Sequence, residues 1–349
     1  MSAKEWVVGR LTGEYVCDRG VASGAGLLNM NSGDWDELAL RAAGVDPGEL
    51  NPLVEPTTVI GETGAWAAAA TGLPEGIPVV VGSSDAASSS VGSGVAGIGQ
   101  IAAMIGTSGA IRMTSDYPTT DKAMRCWCYY MADGRWIVGG ATNNGGNVLG
   151  WFKDLVGAAK PVSFEELMAL AEEAPAGAAG LVFLAFLAGE RAPGWNQNAR
   201  GALLGLTLSH GASHVARSIL EGTVYQLHGI YAALEELAGA AAFSGSIVAS
   251  GGFAKSQLWL EILASVLNTD IEVPAMLEGS AAGAAALAMA ATGHRSGLDW
   301  TACVRRGSRV IHPKPADAAR YRRMLEVYYR AYHGLANTFD ELVAIADGE

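Results

Sequence analysis

A chain of 349 residues, half of them hydrophobic and 17% charged, is long enough for two packed domains and too apolar to stay disordered. Its formal charge of −12 argues against nucleic acid as a partner, since a face for phosphate backbones has to be basic. Small anions remain acceptable, because backbone amides can bind them inside an acidic protein. Four cysteines, Cys17, Cys126, Cys128 and Cys303, lack CxxC spacing and read as small core residues of a reduced, cytoplasmic protein.

The N-terminal MSAKEWVVGRLTGE has no apolar run of the signal-peptide kind. Lys4 to Leu11 predicts a helix with Gly13 as its C-cap, and Glu14 to Asp18 a short strand. Asp18 to Leu28, DRGVASGAGLL, reads as a loop beside a ligand cleft. Asp34 is expected to cap a helix over Trp35 to Ala43 that stops at Gly44.

The stretch Val79 to Arg112, VVVGSSDAASSSVGSGVAGIGQIAAMIGTSGAIR, organises the chain. Two apolar runs, Val79 to Val81 and Gln100 to Ile105, each end in a small polar turn, one carrying Asp85 and the other Gly106-Thr107-Ser108-Gly109. Glycines let backbone amides approach an anion, and Thr107 or Ser108 can add hydroxyl donors. A carboxylate beside such a cradle suits phosphoryl transfer to a hydroxyl, with Asp85 as base. The same residues also fit two ordinary turns, with Asp85 capping a helix.

Further on, Cys126 to Met131 and Trp136 to Gly140 predict a hairpin around Asp133-Gly134. Glycines from Gly139 to Gly146 precede a helix over Asn147 to Val156, a setting that suits an anion or a nucleotide. Ser163 should cap a helix over Phe164 to Glu173, and Leu181 to Ala188 reads as a buried strand. That strand ends in Gly189-Glu190-Arg191, where Glu190 and Arg191 either serve a cleft or make a domain-linking ion pair. His210 and His214 lack a third ligand, so surface or capping roles are expected there and not zinc.

His214 to Leu237 is a long amphipathic helix. Ile247 to Ala249 leads into a third glycine turn, Ser250 to Ser256, and then a helix over Gln257 to Leu267. Ile271 to Val273 is a strand. Glu278 to Met289 is an alanine and glycine helix that has to pack closely. Asp317 to Asp347 carries a core-facing stripe of Tyr321, Met324, Leu325, Tyr328, Tyr329 and Tyr332. No P-loop string occurs, no apolar run is long enough to span a membrane, and the GxGxxG at Gly92 to Gly97 precedes a strand instead of following one.

In order, RLTGEYVCDRGVASGAGLLNM, GSSDAASSSVGSG, IGTSGAIR, GGATNNGGNVLGWFKD, LAGERAPGWNQNARG, LEG and SGGFAKSQLWLEILASVLNTDIEVP resemble the FGGY family of carbohydrate kinases over essentially the whole chain. The gluconokinase branch is the nearest likeness and xylulokinases come next. The resemblance implies an α/β, actin-like (ribonuclease H-like) ATPase fold. Residues 1–96 would belong to the N-terminal sugar-binding domain and 97–349 to the C-terminal nucleotide-binding domain.

It implies ATP and Mg²⁺ as cofactors and a sugar or sugar acid as the partner. Asp85 would be the catalytic base, Gly106 and Thr107 would contact phosphates, and Gly146 would lie near the nucleotide. Gly252 and Ser256 would hold the adenosine part, while Asp85, Glu190 and Arg191 would meet the sugar. No metal ligand carries over. The family's early DxGT turn has no counterpart here, so the sequence reads as lacking the first part of the N-terminal domain. The expectation that goes with this is a fragment that binds nucleotide but is catalytically impaired, or one completed by a second copy or a separate N-terminal chain.

Overall fold

The computed structural model describes residues 1–158, 161–239, 245–275, 279–294, 297, 304 and 307–348. Cys303 and the start of the predicted helix at Glu278 lie outside them. Helix α1 (Ala3–Thr12) opens with a capping box between Ser2 and Glu5 and stops at left-handed Gly13, as its sequence predicts. Strand β1 (Cys17–Asp18) is shorter than expected, and the supposed loop behind it is a helix, α2 (Arg19–Gly24). The Asp18 carboxylate, buried, accepts from the Val21 amide at 3.0 Å and so caps that helix. Strands β2 (Leu28–Asn29) and β3 (Asp34–Trp35) pair with each other. Asp34 therefore belongs to a strand, and helix α3 (Glu37–Ala43) is capped by Asp36, which accepts from Ala39 at 2.9 Å.

Strand β4 (Leu53–Val54) lies parallel to β1, and β5 (Val59–Glu62) pairs antiparallel with β6 (Pro78–Val80) across helix α4 (Ala65–Thr71). Helix α5 (Asp85–Gly92) follows. The chain then lays down a meander, β7 (Ile101–Ile105), β8 (Gly109–Ser115), β9 (Trp127–Ala132) and β10 (Arg135–Thr142). After helices α6 (Gly146–Val156) and α7 (Phe164–Glu172) come β11 (Val182–Leu184), β12 (Ala202–Leu204) and the long α8 (Ala212–Ala238). Strand β13 (Ile247–Ser250), helix α9 (Gln257–Leu267), strand β14 (Ile271–Val273), helix α10 (Gly279–Ala291), strand β15 (Arg309–Ile311) and helix α11 (Pro315–Asp347) complete the described elements.

Seven strands form one mixed sheet in the order β15-β14-β13-β7-β8-β10-β9. The β14-β13-β7 pairings are parallel and the others antiparallel. The outer strand β9 does not meet solvent along its whole edge, because the Tyr130 amide donates to the Ser23 hydroxyl of α2 at 3.0 Å. Strand β11 covers only the first part of the predicted Leu181–Ala188 run. Beyond it, the side chain of buried Asn144 replaces a neighbouring strand: it accepts from the Ala188 amide at 2.9 Å and donates to the Gly189 carbonyl at 2.7 Å.

The main core lies on one face of the sheet, where alternate residues of β7 (Ile101, Ala103, Ile105) meet α6, α8 and α9. Tyr321, Leu325 and Tyr328 of α11 close it, with Met324, Tyr329 and Tyr332 packed against its margin, so the predicted stripe is present. One buried ion pair ties these layers. Arg217 Nε donates to Glu221 Oε1 at 2.7 Å, and the Tyr321 hydroxyl and the Gly177 amide reach the same oxygen at 2.8 and 2.9 Å. The three cysteines among the described residues are free thiols. Burial pushes Cys17 and Cys126 up to about 12 and Cys128 up to about 11, which suits inert core residues.

On the opposite face α5 and α10 pack backbone to backbone. A Cβ on Gly92 would stand 1.8 Å from the Gly279 carbonyl oxygen, and one on Gly283 would stand 1.7 Å from that of Ser88. The small-residue composition of both helices is thus a requirement of their approach. Gly283→Ala is expected to force them apart, costing roughly 1–3 kcal/mol or more, read as a lowered urea midpoint at unchanged m-value.

His228 on α8 sits with Nδ1 2.9 Å from the Tyr329 hydroxyl, and burial pushes it down to about 4. The folded value lies below the unfolded one, so its contribution is complete above pH ~6.5 and is lost as pH falls toward the folded value, by up to about 3 kcal/mol. Unfolding free energies measured at pH 7.5, 6 and 5 should fall, and His228→Gln should flatten that slope.

Candidate active site

Strands β7 and β13 run parallel and adjacent, so their glycine turns emerge at the same end of the sheet. Gly251 has φ 90°, and a Cβ there would lie 2.7 Å from the Ile105 carbonyl oxygen, so only glycine lets the two strand ends pass. The N-terminus of α6 docks on the turn after β7: the Gly146 amide donates to the Gly106 carbonyl at 2.7 Å and the Asn147 amide to that of Thr107 at 3.3 Å. The predicted set of Gly106, Thr107, Gly146, Gly252 and Ser256 therefore lines one cavity of about 850 Å³, joined by exposed Lys255. That volume is in the range of organic ligand sites.

The α6 terminus is not the free anion cradle its glycines suggest. Its amides at Gly146 and Asn147 hold the neighbouring turn, and those of Gly145 and Val148 are taken by the Asn147 side chain at 2.8 and 2.9 Å. The glycines serve proximity instead, since a Cβ on Gly145 would lie 2.6 Å from the Ser108 carbonyl carbon. Ser256 likewise spends its hydroxyl on structure, accepting from Trp259 at 3.2 Å as the cap of α9 and meeting Met168 Sδ at 3.2 Å. The groups left to a ligand include the exposed Thr107 hydroxyl and the Lys255 ammonium, with the exposed carboxylates of Glu165 and Glu172 on the same wall.

A second cavity of about 410 Å³ lies across the same turn, lined by Asp85, Ser108, Arg112, Trp127, Tyr129 and Arg191 among others. The cap of α5 is Ser84, which accepts from Ala87 at 3.3 Å. Asp85 is thus freed from capping: it is the first helical residue, exposed, with Oδ1 accepting from the Ala86 amide at 2.8 Å. The loop before it is tied down twice. The Lys4 ammonium, paired with buried Asp18, donates to the Gly82 carbonyl at 3.1 Å, and the Ser83 hydroxyl donates to Met131 at 2.9 Å. Trp127 and Tyr129, two apart on β9, share a face and stack with centroids 4.2 Å apart.

The Glu190–Arg191 pair is divided. Arg191 is exposed and lines the second cavity, whereas Glu190 is buried, with its carboxylate taken by the Tyr332 hydroxyl and the amides of Gly194 and Asn196. Burial pushes that carboxyl up, and these donors oppose the shift. Both residues lie beyond the strand, in the loop after left-handed Gly189, where tertiary contacts turn Glu190 inward and leave Arg191 exposed. His210 precedes α8, and both His210 and His214 accept backbone amides as caps, from Thr207 at 3.0 Å and Gly211 at 3.2 Å. The wall made by Phe164 and Met168 of α7, and the contributions of Arg112, Trp127 and Tyr129, were not legible as site features. Arg112 carried a signal, as a lone charge in the apolar β8 run.

A mixed sheet with parallel inner strands, helices on both faces and two cavities meeting at one strand-end turn is the arrangement of the actin-like ATPase fold. Residues 1–92 match the family model for the FGGY carbohydrate kinase N-terminal domain, and residues 101–292 match the one for the C-terminal domain. The gluconokinase of Bacillus subtilis is 36% identical over 351 residues, covering 97% of this chain and 67% of that protein. The xylulose kinase of the same organism is 30% identical, covering 94% of this chain and 65% of its own length. Among solved structures, gluconate kinase from Lactobacillus acidophilus superposes with a TM-score of 0.91 at 30% identity, covering 98% of this chain and 69% of that one. The chain belongs to the FGGY family of carbohydrate kinases, and spans about two thirds of the length of these relatives.

Proposed function

We propose that the chain transfers the γ-phosphoryl group of ATP to a hydroxyl of a small sugar acid or ketose, gluconate first and xylulose next, with Asp85 as general base. The observation that carries this reading is the shared wall: Gly106 and Thr107 face the larger cavity, while Ser108 and Gly109 face the smaller one that holds Asp85. ATP would occupy the larger cavity, its adenosine along Gly252 and Ser256 and its phosphates against Thr107 and Lys255. The acceptor would lie in the smaller one, flanked by Arg191 and the stacked rings, with Glu190 holding the turn that presents Arg191.

The acceptor oxygen forms its bond to the γ-phosphorus, the bond to the β,γ-bridging oxygen breaks with its electron pair leaving on ADP, and the hydroxyl proton passes to Asp85. No cluster of acids among the described residues cages a metal, so Mg²⁺ would be held chiefly by the phosphates, as that ion commonly is. The ranking of gluconate over xylulose is supported by 36% against 30% identity to the two relatives.

The division of the chain at 96–97 is supported by the gap between the two matched spans. A cytoplasmic setting is supported by the three described cysteines being free thiols, as in a reducing compartment; separately, among the described residues no helix is long and apolar enough to cross a membrane. A second reading, a chain that binds nucleotide but turns over poorly without a second copy or a separate chain, is supported by the 67% share of the relative's length.

A coupled ADP-release assay with gluconate, xylulose, ribulose and glycerol separates the two readings. In the first, Asp85→Asn should lower kcat by about 10²–10⁴-fold while ATP affinity holds; turnover retained by that variant removes Asp85 as base. Gly252 has open space where a Cβ would go. Gly252→Trp should therefore enter the cavity without straining the backbone and weaken ATP binding by about tenfold or more, as read by calorimetry.

A further inference from the structure

Arg112 breaks the apolar run of β8 with a guanidinium that lines the acceptor cavity beside Asp85, Trp127 and Tyr129. Among the described residues it has no ion pair and no side-chain hydrogen bond, and its Nε is buried without a partner. The indole Nε1 of Trp127, on the same cavity wall, is also buried and unpartnered. Proteins rarely leave buried donors in this state, and a charged one is the costliest to leave.

The contrast within this fold is direct. Arg217, which is buried, donates to Glu221 at 2.7 Å and to the Tyr321 hydroxyl at 2.7 Å, whereas Arg112 is half-buried with only its Nε fully enclosed. Arg112 makes no such direct contact: the charge of Asp85 across the cavity opposes its burial only at longer range, and that carboxylate is exposed, with Oδ1 on the Ala86 amide. Arg191, the second cation of the cavity, is exposed and already hydrated, so it gains less from an anion. A guanidinium is planar and matches a carboxylate with two parallel hydrogen bonds, which no hydroxyl of a neutral sugar can accept as a charged pair.

We infer that Arg112 binds the carboxylate of an aldonic acid acceptor and thereby selects sugar acids over neutral sugars. The inference rests on the reading of the smaller cavity as the acceptor site of a kinase. With the carboxylate held at Arg112, the polyol chain lies along the Trp127–Tyr129 stack and brings a hydroxyl to Asp85. Arg112 is then a specificity residue and Asp85 the reacting one. Trp127 closes the wall behind the contact.

Equilibrium binding tests the contact without needing turnover. Gluconate, uncharged gluconamide and glucitol are titrated calorimetrically into the full chain and into Arg112→Gln and Arg112→Lys, with thermal melting as the check on folding. Gluconate should bind the unaltered chain about 10- to 100-fold more tightly than gluconamide, a ligand-side comparison that no folding defect can disturb. Arg112→Gln should erase that difference and leave glucitol binding within about threefold, and Arg112→Lys should restore part of it.

Equal affinity for gluconate and gluconamide, or an equal loss for gluconate and glucitol in Arg112→Gln, would overturn the inference. So would phosphorylation of xylulose by a chain that does not bind gluconate, with the kinase reading intact. Arg112-dependent gluconate binding without ADP release from any acceptor would instead overturn the kinase reading and uphold the contact.

Discussion

The geometry of the site depends on the contact between α5 and α10. Asp85 stands at the first turn of α5, and that helix is held at a distance set by two glycine-to-carbonyl approaches with no room for a methyl group. Helix α10 follows β14, next to the strand whose turn lines the nucleotide-sized cavity. Asp85 and the glycine turns after β7 and β13 are thus referenced to each other through backbone, without the slack that long interdigitating side chains would introduce.

Within that frame the two cavities divide the chemistry by composition. The larger is walled mainly by glycines, a methionine and aromatic rings, with the Thr107 hydroxyl, Lys255 and the exposed Glu165 and Glu172 among its polar groups. The smaller concentrates charge, with one carboxylate and two guanidiniums around stacked rings. A single hairpin turn is the partition, and the amides of α6 that could have bound an anion are used to hold it in place. Rigidity of the partition has taken precedence over an extra set of donors.

What the sequence revealed was local. Glycine turns after apolar runs, the 3.6-residue stripe on α11 and the hairpin between β9 and β10 depend on neighbours in the chain, and each is where the letters put it. The turns converge on one cavity because β7 and β13 are neighbours. The cap of α3 shifted from Asp34 to Asp36 because two aspartates compete and the pairing of β2 with β3 decides between them. The strand after Leu184 ended early because Asn144, forty-four residues away, supplied its hydrogen bonds. Glu190 turned inward to Tyr332, 142 residues on. Arg112 and the α7 wall belong to the site through tertiary placement, which no spacing in the chain encodes.

The Arg217–Glu221–Tyr321 cluster has a consequence for how the molecule is made. Its partners on α8 and α11 are 104 and 100 residues apart, so α8 emerges from the ribosome carrying a carboxylate and a guanidinium whose shared hydroxyl has not yet been synthesised. The sheet's main core also waits for the tyrosines of α11 to seal it. During translation the chain therefore passes through a long interval with an open apolar face, the condition in which holdase chaperones engage nascent proteins and in which slow, non-local closure invites misassembly.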